Sequence, residues 1–343
     1  MVAVALVAFC TGCRESDAGR SYVIEGSVEG LTGRVELVPL NSAVAFASAE
    51  VEDGGEIRLE LKSTQPRIAA LVVNGVPVRP VFIDEVHLEI AGRVGGIEVL
   101  GSPSNEGYGA MSKELTILNH RLRQGVADRD ALKAEQQATM RRYYDKNRSN
   151  LLGVYMLMGG VPYDSGLEPP QMVRTLDALP NELKGVEEVQ VMRRNAEAQM
   201  LTAVGKEFMN VALPDSEGKS VELASVVAEN RLVLVEFWTS GSVACQMEVP
   251  YLQRAYGDFH EQGFEIYGVS LDMDKDMWLS AIEGSGLMWP NLCDQKGWNG
   301  EAVRVYGVDR VPTNLLIDSR SGRIVARNLH GEELWKAVNK YFN

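Results

Sequence analysis

Residues 236–250 read EFWTSGSVACQMEVP, and this segment determines more about the fold than any other part of the chain. Its first residues close an apolar run at 231–238, which is typical of a strand buried on both faces of a sheet. Its last residues begin a helical pattern over 242–262, and serine is a preferred N-cap residue. The segment therefore predicts a central strand, a short turn and a helix that starts at Ser242.

The residues on either side continue an alternation of strands and helices. A hairpin pattern around Gly218 precedes the central strand. Further patterns follow in the order strand 264–271, helix 276–283, strands 314–318 and 323–326, and a last helix from Glu332. Because strands alternate with helices, residues 204–343 are predicted to form a three-layer α/β domain.

Several motifs in this region resemble those of one known family. The segment 236–250 lines up with the thioredoxin-like motif (D/N)-F-W-A-x-W-C-x-x-C-x-x-E-x-P, and GVDRVPTNLLID at 307–318 resembles G-V-x-x-(I/V)-P-T-x-x-L-I-D. Asp272 matches the acidic residue that follows the next strand. Trp289-Pro290 and Gly297-Trp298 match the TlpA/ResA-like branch, which is sometimes grouped with AhpC/TSA proteins. The resemblance implies a thioredoxin-like α/β fold of thiol-disulfide oxidoreductase lineage over the last two fifths of the chain.

The same resemblance implies roles for individual residues. Pro312 would be the cis-proline that faces the active site, and Glu236 occupies the position of a buried acid that accepts protons in thioredoxins. Trp238, Val311 and Thr313 would lie at the edge where an extended polypeptide or a thiol-containing protein partner docks. No bound cofactor is implied.

The two-cysteine motif is incomplete. Thiol exchange needs a thiolate nucleophile and a second thiol that resolves the mixed disulfide. Thioredoxins place the first cysteine at a helix N-terminus, where the helix dipole lowers its pKa. Here Ser242 stands at the first position and Cys245 at the second. Because a hydroxyl without an activating base is a far weaker nucleophile, we expect Ser242 to act as an N-cap and Cys245 to be a buried, mostly unreactive thiol.

Two chemical alternatives remain open for Cys245. It could form a disulfide with Cys293, although a core cysteine at position 293 is the simpler interpretation. It could instead attack peroxide, since Ser-x-x-Cys resembles the Thr-x-x-Cys of peroxiredoxins. That second resemblance is incomplete, because Trp238 stands where peroxiredoxins have a proline and Pro312 stands where their activating arginine is usual.

The first residues resemble a bacterial lipoprotein signal. A short apolar run, MVAVALVAF, precedes Cys10-Thr-Gly-Cys13 and is too short to span a bilayer. Cys13 follows a small residue whereas Cys10 follows Phe9, so Cys13 is the predicted lipid attachment site and residues 1–20 are the signal and tether. The absence of Lys or Arg before the run departs from the usual pattern. The resemblance implies a protein anchored through its N-terminal lipid on the periplasmic side of the cell envelope.

Residues 21–102 show the period of two that is typical of strands. Alternating segments at 22–28, 33–38 and 57–61 are separated by glycine-containing turns, which predicts an antiparallel β-sandwich or barrel. Y-x-I-x-G-x-V at 22–28 and V-x-G-S-P-x-N at 99–105 resemble the small β-domain that precedes thioredoxin-like domains in many bacterial lipoproteins. That domain has no established chemistry, so the resemblance implies architecture alone.

Residues 103–203 are predicted to be a helical connector. Leu115, Leu118, Leu122 and Ala127 fall on one face of a helix that begins near Asn105. Further helical patterns follow at 128–147, at 150–158, from 169 onward and at 186–203. Acidic and basic residues balance over this segment, which suits solvated helical faces.

Composition narrows the classes of function. The chain has 343 residues, enough for about two domains, and its 45% apolar and 24% charged residues exclude wholesale disorder. The net charge of −13 is spread over segments without any basic excess, so nucleic-acid partners are disfavoured. Four cysteines are too few for a disulfide scaffold. Because His120, His260 and His330 are isolated in the sequence, no metal site is predicted.

Three functional hypotheses follow. The preferred one is a lipid-anchored protein of thiol-disulfide oxidoreductase lineage that has lost two-cysteine exchange and binds extended partners without turnover. The second is a working redox enzyme in which Cys245 reacts with thiols or peroxide. The third is a non-catalytic scaffold in which the β-domain and the helical connector do the binding.

Overall fold

The computed structural model describes residues 19–40, 44–52, 54–124 and 128–343. Cys10, Cys13 and Ala127, for which the sequence makes predictions, lie outside the described residues. The chain divides into two compact units, one formed by the described residues up to Gly166 with Leu179–Val189, the other by Leu167–Ala178 with Gln190–Asn343. Within the described ranges, no helix has both the length and the apolar character that a membrane crossing requires.

The first unit has a β-sandwich of two four-stranded sheets. Its strands are β1 (Arg20–Ser27), β2 (Gly33–Pro39), β3 (Ala47–Val51), β4 (Glu56–Ser63), β5 (Arg67–Val73), β6 (Val76–Ile83), β7 (His87–Arg93) and β8 (Gly96–Leu100). One sheet has the order β4-β1-β7-β8 and the other β3-β2-β5-β6. The sandwich prediction is confirmed, but the first sheet is mixed rather than antiparallel, because β1 and β7 run parallel. A parallel pair needs a long connection. Here β2 to β6 connect β1 to β7, and all of them except β4 belong to the other sheet.

Side-chain alternation places the core of this sandwich. In β4 the buried residues are Ile57, Leu59 and Leu61, and their neighbours point to solvent. Together with the inward residues of both sheets they form one apolar cluster. The sequence did not predict β5, because its apolar residues stand at consecutive positions and so hide the period of two.

Helices follow the sandwich. They are α1 (Pro103–Gln124), α2 (Arg129–Lys146), α3 (Leu151–Leu157), α4 (Pro169–Asp177), α5 (Asn181–Lys184) and α6 (Glu187–Leu201). The bounds of α1 to α4 and of α6 agree with the predicted helical patterns to within a few residues, whereas the short helix α5 was not predicted. Asn105 fastens α1 to β6, since its buried amide accepts a hydrogen bond from Phe82 N (3.2 Å) and donates one to Phe82 O (2.7 Å). This contact gives a physical reason for the asparagine that ends the V-x-G-S-P-x-N segment.

The second unit contains the predicted three-layer α/β domain. Its strands are β9 (Ala212–Pro214), β10 (Ser220–Glu222), β11 (Leu232–Trp238), β12 (Phe264–Ser270), β13 (Asn291–Leu292), β14 (Thr313–Asp318) and β15 (Arg323–Arg327). Strands β9 and β10 form the predicted hairpin, and the main sheet has the order β13-β12-β11-β14-β15. Its helices are α7 (Leu223–Glu229), α8 (Val243–Phe259), α9 (Lys275–Ser285), α10 (Glu301–Tyr306) and α11 (Glu332–Phe342). The short helices α7 and α10 were not predicted from the sequence.

Central strand β11 divides its side chains between the two faces of the main sheet. Val233, Val235 and Phe237 pack in the cluster that includes residues of α7 and α10. Leu232, Leu234 and Trp238 pack in the cluster that includes residues of α8 and α11. Successive side chains of a strand point to opposite faces. Glu236 therefore lies on the α8 face, which brings a carboxyl group to the helix that carries Cys245.

Candidate functional site

The turn between β11 and α8 is held by one buried carboxylate, that of Asp272. Thr239 Oγ1 (2.6 Å), Ser240 N (3.0 Å) and Ser270 Oγ (2.7 Å) all donate hydrogen bonds to it. Burial by itself would raise the pKa of Asp272, but these hydrogen bonds outweigh burial and hold the pKa below its ordinary value. The ionised Asp272 therefore fixes the backbone that leads into α8.

Ser242 is the N-cap of α8. Its backbone is extended, and its side-chain oxygen accepts a hydrogen bond from Cys245 N at 3.3 Å. The first turn of a helix has N–H groups without intrahelical partners, and a cap of this kind contributes about 1 kcal/mol. The expectation that Ser242 caps the helix is confirmed.

Cys245 lies in the first turn of α8 and is buried, with 5% of its surface exposed. Burial raises the pKa of its thiol above the ordinary value, and the interactions with Ser242 and the Thr239 backbone offset only part of that effect. The thiolate is the reactive form of cysteine, and this environment disfavours the thiolate of Cys245.

Glu236 lies under the start of α8 and is 3% exposed. Burial raises its pKa to about 8, although a hydrogen bond with Asn314 opposes the shift and the nearby charge of Glu248 adds to it. Glu236 Oε2 is buried without a hydrogen-bond partner. The carboxyl group is therefore mostly protonated at neutral pH and can donate a hydrogen bond.

The Val311–Pro312 peptide bond is cis, as the resemblance implied. Pro312 immediately precedes β14, whose first residue, Thr313, pairs with Phe237 of β11. Thr313 Oγ1 also donates a hydrogen bond to Arg310 O at 2.8 Å, which closes the loop before the strand. This register brings the cis-proline loop and the end of β11 to the same side of the domain.

Comparison with known proteins gives the lineage of this domain. Residues 204–327 match the model of the AhpC/TSA family. The thiol-disulfide oxidoreductase ResA of Halalkalibacterium halodurans is 33% identical over 125 residues, which are 36% of this chain and 68% of that protein. The chain belongs to the AhpC/TSA family. A second ResA, from Bacillus thuringiensis, is 29% identical over 138 residues, which are 40% of this chain and 76% of that protein.

Solved structures of related domains match the same part of the chain. The thioredoxin domain of a thiol-disulfide oxidoreductase from Bacteroides vulgatus is 35% identical, with a TM-score of 0.39, and the match covers 41% of this chain and 99% of that one. By fold and relatives, the second unit contains a thioredoxin-like AhpC/TSA domain of ResA-like thiol-disulfide oxidoreductase lineage.

The AhpC/TSA domain has a second cysteine close to the same turn. Cys293 is buried, and its Sγ donates a hydrogen bond to Asp272 O at 3.2 Å. Cys245 and Cys293 are both free thiols. The structure therefore does not have the disulfide that the sequence left open as an alternative. Cys293 packs in the core on the α8 face.

A cavity of about 110 Å³ adjoins Cys245 in the AhpC/TSA domain. Glu236 and Trp238 of β11 line it together with residues of α8 and α9. Trp238 is 9% exposed, so it lies in the wall of this cavity rather than on an open surface. The sequence predicted Glu236, Trp238 and Cys245 individually. It did not predict that they share a cavity, and the only available signal was the even spacing of positions 236 and 238 on one strand.

The described residues show no group of three His, Cys, Asp or Glu side chains placed to hold a metal ion. Trp238, Cys245 and Glu236 are brought together by the α8 face of the sheet, while Pro312 and Thr313 approach from the β14 side. The site can thus present one thiol, one neutral carboxyl group and the cis-proline loop, without a thiolate at the start of α8.

Proposed function

We propose that this AhpC/TSA domain binds extended, thiol-containing polypeptides without two-cysteine exchange. The proposal rests on Ser242, at the start of α8. This residue acts as the helix N-cap, and it stands where the nucleophilic cysteine of a Cys-x-x-Cys motif would be. Exchange requires an attacking thiolate at that position and a second thiol that resolves the mixed disulfide, and the domain retains only the second thiol.

Cys245 does not take over the role of the missing nucleophile. It is buried one turn into the helix, and its pKa is raised by burial. A raised thiol pKa leaves little thiolate at neutral pH, which slows attack on disulfides and on peroxides alike. These properties argue against the alternative of a single-cysteine redox enzyme.

Surface features support a binding role. Large apolar side chains are exposed at the start of α8 and after β12, at Val243, Met247, Met273 and Met277. Because β11 and β12 are parallel, the segments that follow them lie at the same edge of the sheet. Methionine is common on surfaces that bind varied partners, and apolar exposure of this kind marks interaction sites.

The proposal includes a place of action. A lipid on Cys13 would anchor the chain to the periplasmic side of the cell envelope, where protein thiols and disulfides are available as partners. Support for this part comes from the lipoprotein-like sequence at 1–20 alone.

Dithiol-dependent disulfide reduction tests the proposal, with peroxide consumption measured in parallel. We expect the wild type and Cys245→Ala to be equally inactive, and Ser242→Cys to be active at roughly tenfold or more above them. Gly241 stands where related motifs have tryptophan, and a Cβ added there meets open space. The double variant Gly241→Trp/Ser242→Cys is therefore a second attempt at a complete motif, and Cys293→Ala is the matched cysteine control.

Two outcomes would contradict the proposal. Wild-type activity that Cys245→Ala abolishes would show a working single-cysteine enzyme. Inactivity of both variants that carry Ser242→Cys would show that position 242 alone does not explain the lost exchange, and it would favour the scaffold hypothesis.

A further inference from the structure

The cavity beside Cys245 is enclosed on several sides by the AhpC/TSA domain. Strand β11 supplies Glu236 and Trp238, and α8 supplies Cys245 and Leu252. The segment after α9 supplies a further wall with Trp289. Exposed or half-buried residues at Ser240, Gln246 and Ser285 also line the space, so it opens toward solvent on that side.

Two polar atoms of the cavity residues are buried without partners. They are Oε2 of Glu236 and Nε1 of Trp238. Both side chains are more than nine-tenths buried. A buried polar group without a hydrogen bond costs about 1–3 kcal/mol, and native proteins leave few such groups. Two of them at one cavity indicate that something else supplies the missing hydrogen bonds.

The chemistry of these atoms restricts what can satisfy them. An indole N–H is only a donor, and a protonated carboxyl group donates through its O–H. Both groups are therefore hydrogen-bond donors, and the partner that they lack is a hydrogen-bond acceptor. The rest of the lining is largely apolar, with Leu252, Leu287 and Trp289 buried around the space.

The size of the space restricts the ligand further. A cavity of about 110 Å³ is smaller than the roughly 150 Å³ that accommodates benzene in a protein core, and it would hold about three or four water molecules. A molecule of about four or five heavy atoms suits it.

We infer that this cavity is a binding site for a compact neutral oxygen acceptor, an S=O or C=O group carried on a short apolar body. The oxygen accepts hydrogen bonds from Glu236 and Trp238, and the alkyl part packs against Leu252, Leu287 and Trp289. A dialkyl sulfoxide and a small amide share this chemistry, either as free molecules or as the end of a partner's side chain. The inference involves no covalent step and does not depend on the proposed loss of exchange.

Charge around Glu236 predicts how binding responds to pH. The titratable groups that face it are Cys245 and Glu248, both on α8, while β14 contributes the neutral Asn314. Glu248 in turn lies 3.8 Å from His330 Nδ1. With the pKa of Glu236 raised to about 8 by burial, the donor is present at pH 6–7 and is lost above pH 8. An acceptor ligand should therefore bind more weakly as the pH rises through 8, whereas a cation would bind more tightly.

Titration with dimethyl sulfoxide and with N-methylacetamide, followed by ¹H–¹⁵N NMR of the five indole N–H groups, tests the inference. We expect the Trp238 indole signal to move and saturate with at least one probe, while that of the exposed Trp298 does not. The probe that saturates at lower concentration distinguishes sulfoxide from amide. Methylammonium is the cationic comparison and should not saturate the signal at pH 7.

Variants give the matched controls. Ala281→Leu fills the cavity and should abolish the saturable shift, whereas Ala337→Leu, at another half-buried alanine packed on the same core, should leave it unchanged. Trp238→Phe removes one donor and should weaken binding about fivefold, read from Trp289. Glu236→Gln keeps a donor at every pH, so binding should persist and lose its dependence on pH.

Three results would overturn the inference. The first is a Trp238 shift that is linear and no larger than that of Trp298, which would mean that the cavity holds water alone. The second is a saturable shift that survives Ala281→Leu. The third is saturable binding of methylammonium at pH 7, where Glu236 is protonated. None of these readouts involves thiol chemistry. A result that overturns this inference would therefore not contradict the proposed function.

Discussion

Ser242 performs one of the two tasks that belong to its position. Its hydroxyl satisfies a backbone N–H at the start of α8, as N-cap residues do, but it does not supply a thiolate. Glu236 depends on its surroundings instead, since burial raises the pKa of its carboxyl group. At this scale a local rule explains the serine, whereas only the surrounding core explains the state of the carboxyl group.

The raised pKa of Glu236 makes a prediction about stability and pH. The folded chain holds this proton up to about pH 8, whereas an unfolded glutamic acid releases it near pH 4.3. The contribution to the free energy of unfolding is fully present below the unfolded pKa and is lost as the pH rises through the folded pKa. Between pH 5 and 8.5 we expect a loss on the order of a few kcal/mol.

Urea unfolding followed by tryptophan fluorescence at several pH values measures this loss. Glu236→Gln should flatten the dependence over this window, because the amide cannot ionise. Glu261→Gln, at an exposed position of the same domain, should keep the wild-type slope. Parallel curves for the wild type and Glu236→Gln would show that Glu236 is not the group responsible.

Alternation along single strands explains much of the architecture at the scale of elements. Strand β11 distributes its residues between two cores and so directs Glu236 and Trp238 toward α8. In β4 the same alternation made a strand visible in the sequence, and in β5 its absence concealed one. Contacts between elements are less visible in the sequence. The Asn105 amide shows this, because its partners include two backbone atoms of a residue 23 positions away.

Replacing Asn105 by alanine tests how α1 is attached to β6. The change would leave Phe82 N and Phe82 O buried without partners, so we expect a loss of about 2–4 kcal/mol in the free energy of unfolding of the first unit. Because all five tryptophans lie between positions 238 and 335, far-UV circular dichroism and tyrosine signals should be used for this unit. Asn119→Ala, at an exposed position of the same helix, should change stability by less than about 0.5 kcal/mol. Equal effects of the two variants would contradict the fastening role.

Two units of different architecture make up the whole molecule. The first is built around a β-sandwich, and the second contains the AhpC/TSA domain with the candidate site. The family comparisons cover only the second. The function proposed for the whole chain has two parts, the candidate site in the AhpC/TSA domain and the anchoring of the chain to the membrane.

Anchoring is tested in the full chain expressed in a bacterial host. Cys13→Ala should move the protein from the membrane fraction to the soluble fraction, because the lipid chains would have no attachment site. Cys10→Ala is the matched control and should leave the protein with the membranes. An equal distribution of the wild type and Cys13→Ala would contradict the anchor.

Periodicity and local preferences predicted the longer strands and helices of the second unit and the cap at Ser242, and the family resemblance implied the cis-proline. Each of these depends on residues close together in the sequence. The parallel pairing of β1 with β7, the free state of Cys245 and Cys293, and the cavity that Glu236, Trp238 and Trp289 share depend on residues that only the folded chain brings together. Burial is the physical reason for the difference, since it raises the pKa of Glu236 and Cys245 and leaves Glu236 Oε2 and Trp238 Nε1 without hydrogen-bond partners. The sequence identifies the residues of the site, but their protonation states and the hydrogen-bond partners that they lack are determined by packing.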